Sequence, residues 1–477
     1  MERFVFLVAL FCAFTAVVSY KAAVLEYYPT TADTPKSTIV TNLEQYRQYT
    51  DSARQQSADI IVFPEYGLTK IVTDPTEYAV EISPEEKVIK ELITMATERQ
   101  MYLVVNLLEK AKDASNNIKY YNTNLVFARN GSIIAKYRKI NLFDEPNLTP
   151  GDPNQRVTFK TDFGVTFAIF TCFDIVFDNP ASTVLENNDV TDVVYPSAWI
   201  SIMPFFTSLS IQHGYAIANG VNLLAANYGE PKNSHGGSGI YLADGTIADS
   251  YIDGSPSSKL VISNVTLRSR RVEKTICPTI APYGLPGTSG NTNITNYVTK
   301  KDFETSKYTL MSVDLEAGNF SDTVCDNKFC CTFDIMFNKD TVSSSDHFKV
   351  MAFDGQNSNN IHIRVCTLLA CESDKDDSCG ARVNTTTKFT KITVKGNLQK
   401  EEGTFYMPLT LNYNLKTIAQ TVYCDTNNAT NGTFVQMTTT GAQENVLVFG
   451  LLGRSSAGNL YAVFFLVVLG VVKCFLF

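Results

Sequence analysis

The sequence predicts an α/β domain followed by a smaller, mostly β domain stapled by disulfides. Three observations predict it. From residue 20 to about 275, short apolar runs alternate with stretches of helical spacing. Between about 276 and 300 the composition turns to Pro, Gly, Thr and Asn, which marks a linker or a surface crossing. From 301 to about 450, short alternating segments stand between cysteines and polar turns. The chain has 477 residues, 44% apolar and 18% charged, so it can bury a sizeable core, and disorder is excluded as its main state. A formal net charge of -8 argues against a nucleic-acid partner, because phosphate contacts need a basic surface.

In the first region, 22–28 is a short apolar run and 43–53 has amphipathic helical spacing. Residues 59–63 form a β-branched run stopped by Pro64. Residues 85–99 read as a helix and 101–108 as a strand. Asn130-Gly131 joins 125–129 to 132–137 as a hairpin. A strand over 165–170 reaches Cys172. Pro180 opens a helix, since its missing N–H costs nothing in a first turn. Strands follow at 190–195 and 222–226, with a helix at 205–219 between them. Residues 240–250 fold back through Asp244-Gly245. In the second region, 388–394 and 446–449 are the clearest strands.

Both ends of the chain point to a secretory route. Residues 4–18 form an apolar run behind Arg3, and Val17 and Ser19 suit cleavage after Ser19, so 1–19 reads as a signal peptide. A buried strand or an N-terminal anchor is the alternative. Residues 460–477 are again apolar, with Ser455, Ser456, Ala457 and Gly458 just upstream. Small residues before a terminal apolar tail describe a glycosylphosphatidylinositol (GPI) signal over 451–477, with Ser455 the expected attachment residue. A retained tail anchor and a soluble form are the alternatives. Asn-x-Ser/Thr acceptors at Asn130, Asn147, Asn264, Asn293, Asn319, Asn384, Asn428 and Asn431 are expected on the surface and glycosylated. The chain is thus expected at the outer face of the cell membrane through a lipid anchor, or extracellular if released.

Of eleven cysteines, Cys12 goes with the signal peptide and Cys474 with the tail. The remaining nine are an odd number in an oxidising compartment. Cys277, Cys325, Cys330, Cys331, Cys366, Cys371, Cys379 and Cys424 cluster late and make four disulfides of open connectivity. Cys172 stands alone. A free thiol in a secreted protein is either buried and inert or kept for its reactivity.

Three short motifs carry chemistry. In 59–68 (DIIVFPEYGL) a buried strand delivers Glu65 at its C-terminal end, where open α/β sheets place ligands. In 137–145 (YRKINLFDE) Lys139 follows a strand and Glu145 lies six residues later. In 170–177 (FTCFDIVF) the lone thiol sits where a strand runs toward a helix, a turn that exposes a nucleophile beside backbone N–H groups. Singly, Glu65 and Lys139 would read as solvated charges.

These motifs stand in order with 195–199 (YPSAW), 222–227 (NLLAAN) and 237–241 (GSGIY). Together they resemble the nitrilase superfamily, and within it the vanin and biotinidase branch. The resemblance covers most of 20–275, and the cysteine-rich C-terminal region also looks like that branch. It implies a four-layer αββα sandwich for 20–275, followed by the β-rich disulfide domain at 301–450. It further implies a Glu-Lys-Cys triad at Glu65, Lys139 and Cys172. Glu65 would act as base, Cys172 as nucleophile, and Lys139 with the Phe173 backbone N–H as oxyanion donors. Glu145 would orient Lys139 or assist proton transfer. The physics agrees: a thiol with a pKa near ~8.5 needs a base or a cation to be a ready nucleophile. Asp174, near a helix start, reads as structural, and Trp199, the only tryptophan, as a pocket wall or core.

The implied reaction is hydrolysis of a linear amide, with pantetheine giving pantothenate and cysteamine. Biotin amides are the alternative, and a catalytically silent surface binding protein or an adhesive ectodomain are the readings from other classes. The partner is a small-molecule amide, no metal or organic cofactor is implied, and the chain is a monomer or a homodimer. Rival chemistries lack their signatures. Only four histidines exist, and no Gly-x-Ser-x-Gly elbow, His-Glu-x-x-His or phosphate-binding Gly-x-x-x-x-Gly-Lys occurs.

Overall fold

The computed structural model describes residues 18–272, 293–357, 361–398, 404–428 and 432–454. The apolar stretch of the expected signal peptide, the 455–477 tail with Ser455, Cys277 and Asn431 lie outside them.

In chain order the first region runs β1 (Ser19–Glu26), α1 (Pro35–Gln55), β2 (Ile60–Val62), α2 (Lys87–Arg99), β3 (Tyr102–Lys112), β4 (Ile118–Phe127), β5 (Ile133–Arg138), β6 (Thr158–Lys160), β7 (Thr166–Ile169), α3 (Asp178–Ala181), β8 (Val190–Ser197), β9 (Ile202–Met203), α4 (Ser208–Asn219), β10 (Asn222–Asn227), β11 (Ser238–Tyr241), β12 (Ile247–Tyr251) and β13 (Lys259–Thr266). Two six-stranded sheets result, ordered β13-β1-β2-β3-β4-β5 and β12-β11-β10-β8-β7-β6. Strand alternation assigns each residue a face. Ala22 and Val24 of β1 meet Phe167, Val194 and Leu224 of the opposite sheet in the central core. Ala23 and Leu25 point the other way, against Ile39 and Leu43 of α1 and Ile89 and Leu92 of α2. α4 covers the far side of the second sheet, which completes the four layers.

Local chemistry sets the boundaries. Thr34 caps α1 by accepting the Ser37 N–H at 3.1 Å, and Pro35 fills the first turn. The Asn130-Gly131 turn works because Gly131 sits at φ 82°. The Pro180 expectation needs correction. No long helix opens there: α3 is a single turn, with Asn179 extended at φ -102°, ψ 111°. A residue before proline is driven out of the helical region.

The second region contributes β14 (Lys300–Lys301), β15 (Thr309–Ser312), β16 (Asn319–Asp326), β17 (Phe329–Asn338), β18 (His347–Gln356), β19 (His362–Cys371), β20 (Lys388–Leu398), β21 (Phe405–Asn412), β22 (Thr421–Asn428), β23 (Gly432–Thr439) and β24 (Val446–Arg454). β14 pairs with β9, and the rest form two five-stranded sheets, β15-β18-β19-β24-β21 and β16-β17-β20-β23-β22. Disulfides join Cys325–Cys330, Cys331–Cys366 and Cys371–Cys379, and Cys424 is disulfide-bonded as well. Cys331–Cys366 links β17 to β19 and so ties one sheet to the other.

This β sandwich lies on α4, whose residues are buried all round from Ser208 to Ala218. Ser210 Oγ accepts the Thr410 N–H at 3.1 Å, and His213 Nδ1 meets Thr417 Oγ1 at 2.7 Å. At Gly214 a Cβ would fall 2.2 Å from the Pro408 carbonyl oxygen, so the two backbones touch there. Phe205 of the first region meets Phe303 and Tyr308 of the second. Among the described residues no helix is long and apolar enough to cross a membrane.

Candidate active site

The three motif residues arrive from three strand ends. β2 stops at Val62, and Phe63-Pro64 carry the chain to Glu65. One residue past β5, the Lys139 N–H still bonds the Asn122 carbonyl at 2.8 Å, which directs the side chain inward. Beyond β7, Cys172 opens a 3-10 turn over Cys172–Val176 with φ 46°, a left-handed conformation rare for a residue with a Cβ. The Asp174 carboxylate accepts the Thr171 N–H at 3.1 Å and holds this turn from below. It is itself held by the Tyr137 hydroxyl and the Asn141 amides, which bears out a structural reading.

The side chains then converge. Lys139 Nζ donates to Glu65 Oε1 at 2.8 Å and to Glu145 Oε2 at 2.7 Å. Glu65 is 1% exposed and Lys139 2% exposed. Glu65 Oε2 accepts the Ala198 N–H at 2.8 Å, and Glu145 Oε2 accepts the Phe143 N–H at 3.0 Å. The Tyr66 hydroxyl donates to Glu145 Oε1. Burial alone would push the Lys139 ammonium down, but Glu145 and Glu65 outweigh it and hold it well above the usual lysine range. Burial pushes the Glu145 carboxyl up, and the Lys139 charge with its hydrogen bonds pulls it below the usual range. The site therefore holds a fixed cation between two acids.

Cys172 is the one free cysteine among the described residues, and it is buried. Burial and the Glu65 charge push its thiol well above the ordinary range, against the pull of Lys139 and the Ala198 N–H. The thiol thus keeps its proton until a base takes it, and Glu65 is the acid whose charge acts on it. The Phe173 N–H lies in the first turn, where amides have no partner inside the helix. Beside Cys172 opens a cavity walled by Phe143, Phe173, Trp199 and Phe206. Trp199 is fixed there, its indole donating to the Phe206 carbonyl at 2.8 Å.

Sequence reasoning missed three asparagines that connect these parts. Asn122 Nδ2 donates to Glu65 Oε1 at 2.7 Å and to Glu145 Oε1 at 2.8 Å. Asn106 Nδ2 donates to Asn122 Oδ1 and Asn124 Oδ1, while its own Oδ1 accepts the Tyr66 N–H. Asn124 Nδ2 reaches Thr171 Oγ1 at 2.8 Å, next to the thiol. The available signal was an amide set inside apolar strand runs, at Asn106 of LVVNLL and at Asn122 and Asn124 of YNTNLV.

Of the expected glycosylation acceptors, Asn130, Asn147, Asn264, Asn293, Asn319 and Asn384 are exposed. The Asn428 side chain and Asn431 lie outside the described residues. Ser19, the expected last residue of the signal peptide, already pairs with Thr266 as the first residue of β1.

The fold and the converging residues define a carbon–nitrogen hydrolase of nitrilase type, and the model of the carbon-nitrogen hydrolase family matches residues 21–271. The Vanin C-terminal domain model matches 297–458. The chain belongs to the carbon-nitrogen hydrolase family, in its vanin and biotinidase branch, and is a hydrolase acting on carbon–nitrogen bonds. Vanin-like protein 1 of Drosophila melanogaster is 32% identical over 401 residues, covering 76% of this chain and 69% of that protein. A pantetheinase of Sus scrofa is 29% identical over 432 residues, covering 83% and 80%. A biotinidase of Bos taurus is 29% identical over 396 residues, covering 72% and 74%.

Proposed function

We propose that this chain hydrolyses a linear amide through Glu65, Lys139 and Cys172, with pantetheine as substrate and pantothenate and cysteamine as products. The observation that carries the reading is a buried acid bonded to a buried cation, both charges acting on a left-handed cysteine that lines a cavity. Pantetheinases and a biotinidase among the relatives support the choice of amide. Glu65 takes the Cys172 proton as sulfur attacks the carbonyl carbon. The oxyanion is met by the Lys139 ammonium and the Phe173 N–H, and one such donor contributes about 2.7–4 kcal/mol in other systems. Glu65 then protonates the leaving amine, and a thioester remains on Cys172. Water activated by Glu65 cleaves it, releasing the acid and restoring the thiol. Glu145 and Tyr66 hold Lys139 through both steps.

Within the same reading the chain is secreted and glycosylated, and a GPI anchor at Ser455 holds it to the outer face of the membrane. Disulfides belong to an oxidising compartment and support the secretory part.

The test offers pantetheine and a biotin amide side by side to the secreted protein and to Cys172→Ala. Release of cysteamine by the first and none by the second is expected. Turnover of the biotin amide alone transfers the reading to the biotinidase type. Turnover that survives in Cys172→Ala rejects the thiol mechanism.

A further inference from the structure

The cavity beside Cys172 is not closed by the nitrilase-type domain alone. Its remaining wall comes from Asn357 and Ile361, which follow β18 and precede β19 in the C-terminal domain. We infer that Ile361 is a specificity-determining residue, fixing how bulky an amide can lie beside Cys172, and that Asn357 positions it.

The placement is built, not incidental. Asn357 N–H donates to the Ile361 carbonyl and Asn357 Oδ1 accepts the Ile361 N–H, both at 2.9 Å. Asn357 is 2% exposed, so this closed pair is anchored inside the protein. Behind it, Asp354 and Arg364 face one another across the β18–β19 ladder and are ion-paired at 3.1 Å. Arg454 at the end of β24 donates to the His362 carbonyl at 3.0 Å. Its guanidinium lies 4.5 Å above the Phe177 ring, and Phe177 packs edge-on against Phe173, which lines the same cavity. A cation over an aromatic face is attractive, more so when desolvated. The tip that bears Ile361 is therefore tied to the nucleophile's own turn.

Sharing the cavity wall with Ile361 are Phe143, Phe173, Trp199 and Phe206. An apolar slot of this kind accepts a slender aliphatic arm and discriminates by size. It would exclude amides whose bulk begins next to the reacting carbonyl. The inference rests on the proposed function only in taking Cys172 as the reacting group.

The test reads thiol access separately from amide turnover. Cys172 is alkylated in the full-length protein with iodoacetamide and with N-benzyl-2-chloroacetamide. Ile361→Trp should slow the benzyl reagent at least tenfold and leave iodoacetamide within about twofold. Ile361→Ala, which keeps the fold more surely, should speed the benzyl reagent several-fold, and Asn357→Ala should blunt the discrimination without a change toward iodoacetamide. Amides of increasing acyl bulk should follow the same order in kcat/KM. If the rates move together or not at all, Ile361 is not a wall. If neither reagent reaches Cys172 in the parent protein, the cavity is not the route to the thiol and the inference falls. If access follows Ile361 while no amide is cleaved, the inference stands and the amidase reading fails.

Discussion

At the scale of single residues, the site is a balance of buried charges. Lys139 bonds Glu65 and Glu145 at once, and its positive charge lets two acids stay close in a dry setting. Removing one partner of a buried pair leaves the other uncompensated, at a cost of about 3–5 kcal/mol. Lys139→Met is expected to lower stability by about that much and kcat/KM by at least about 100-fold. Glu65→Gln keeps the shape and most of the hydrogen bonds. It should melt near the parent temperature while losing about 100- to 10,000-fold in turnover. Thermal melts and amine release on both variants check this; a Lys139→Met protein as stable as the parent would show that the ammonium does not hold the acids. Singly, Glu65 and Lys139 read as solvated charges; with Cys172 they were legible as a candidate site because six motifs in order resemble one family. Asn106, Asn122 and Asn124 were not, because a buried amide and a surface amide look alike until the opposite sheet is in place.

At the scale of elements, the strand and helix pattern was readable where periodicity was strong, as in 59–63 and 85–99. It failed at Pro180, where the backbone restriction on Asn179 overrode the first-turn preference. Glu26 shows a further consequence of element packing. It ends β1 and accepts the Gly237 N–H at 2.8 Å and the Ser238 hydroxyl at 2.9 Å, where β11 begins. Burial pushes its carboxyl up to about 8, against the pull of those bonds. The folded state thus keeps a proton that the unfolded chain loses above its ordinary carboxylate pKa of about 4.5. Its stabilising contribution is full below that value and is lost as pH rises to about 8. Burial raises Asp174 and Asp192 to about 6, which acts in the same sense at lower pH. Burial lowers His213 and His235 to about 4, which acts in the opposite sense up to about pH 6.5. From about 6.5 to 8, Glu26 remains alone among these groups. The melting temperature should fall over that interval, and Glu26→Gln, which has no proton to lose, should flatten the fall. Scanning calorimetry of both proteins from pH 6 to about 8.5 decides it; parallel curves would mean that Glu26 is ionised in the fold.

At the scale of the whole molecule, the C-terminal domain was legible as disulfide-rich and β, from its cysteines and short alternating runs. Its contact with the cavity was not, because Asn357 and Ile361 carry no local signal and reach the cavity beside Cys172 only through docking. The disulfides differ in weight. Cys331–Cys366 closes a separation of 35 residues and joins the two sheets, whereas Cys325–Cys330 closes only 5. Chain entropy assigns about 4 kcal/mol to the first and about 2 kcal/mol to the second. The Cys331→Ala/Cys366→Ala pair should lower the urea midpoint roughly twice as far as the Cys325→Ala/Cys330→Ala pair, and the reverse order would place the constraint in the short loop. The seam itself has a history to impose. With the Gly214 backbone set against the Pro408 carbonyl, any side chain at 214 forces the halves apart. Ser210 and His213 of the same helix would lose their Thr410 and Thr417 partners if the sandwich were lost. Neither half can drift, be exchanged with a relative's, or be inherited alone unless the other side of that seam changes with it.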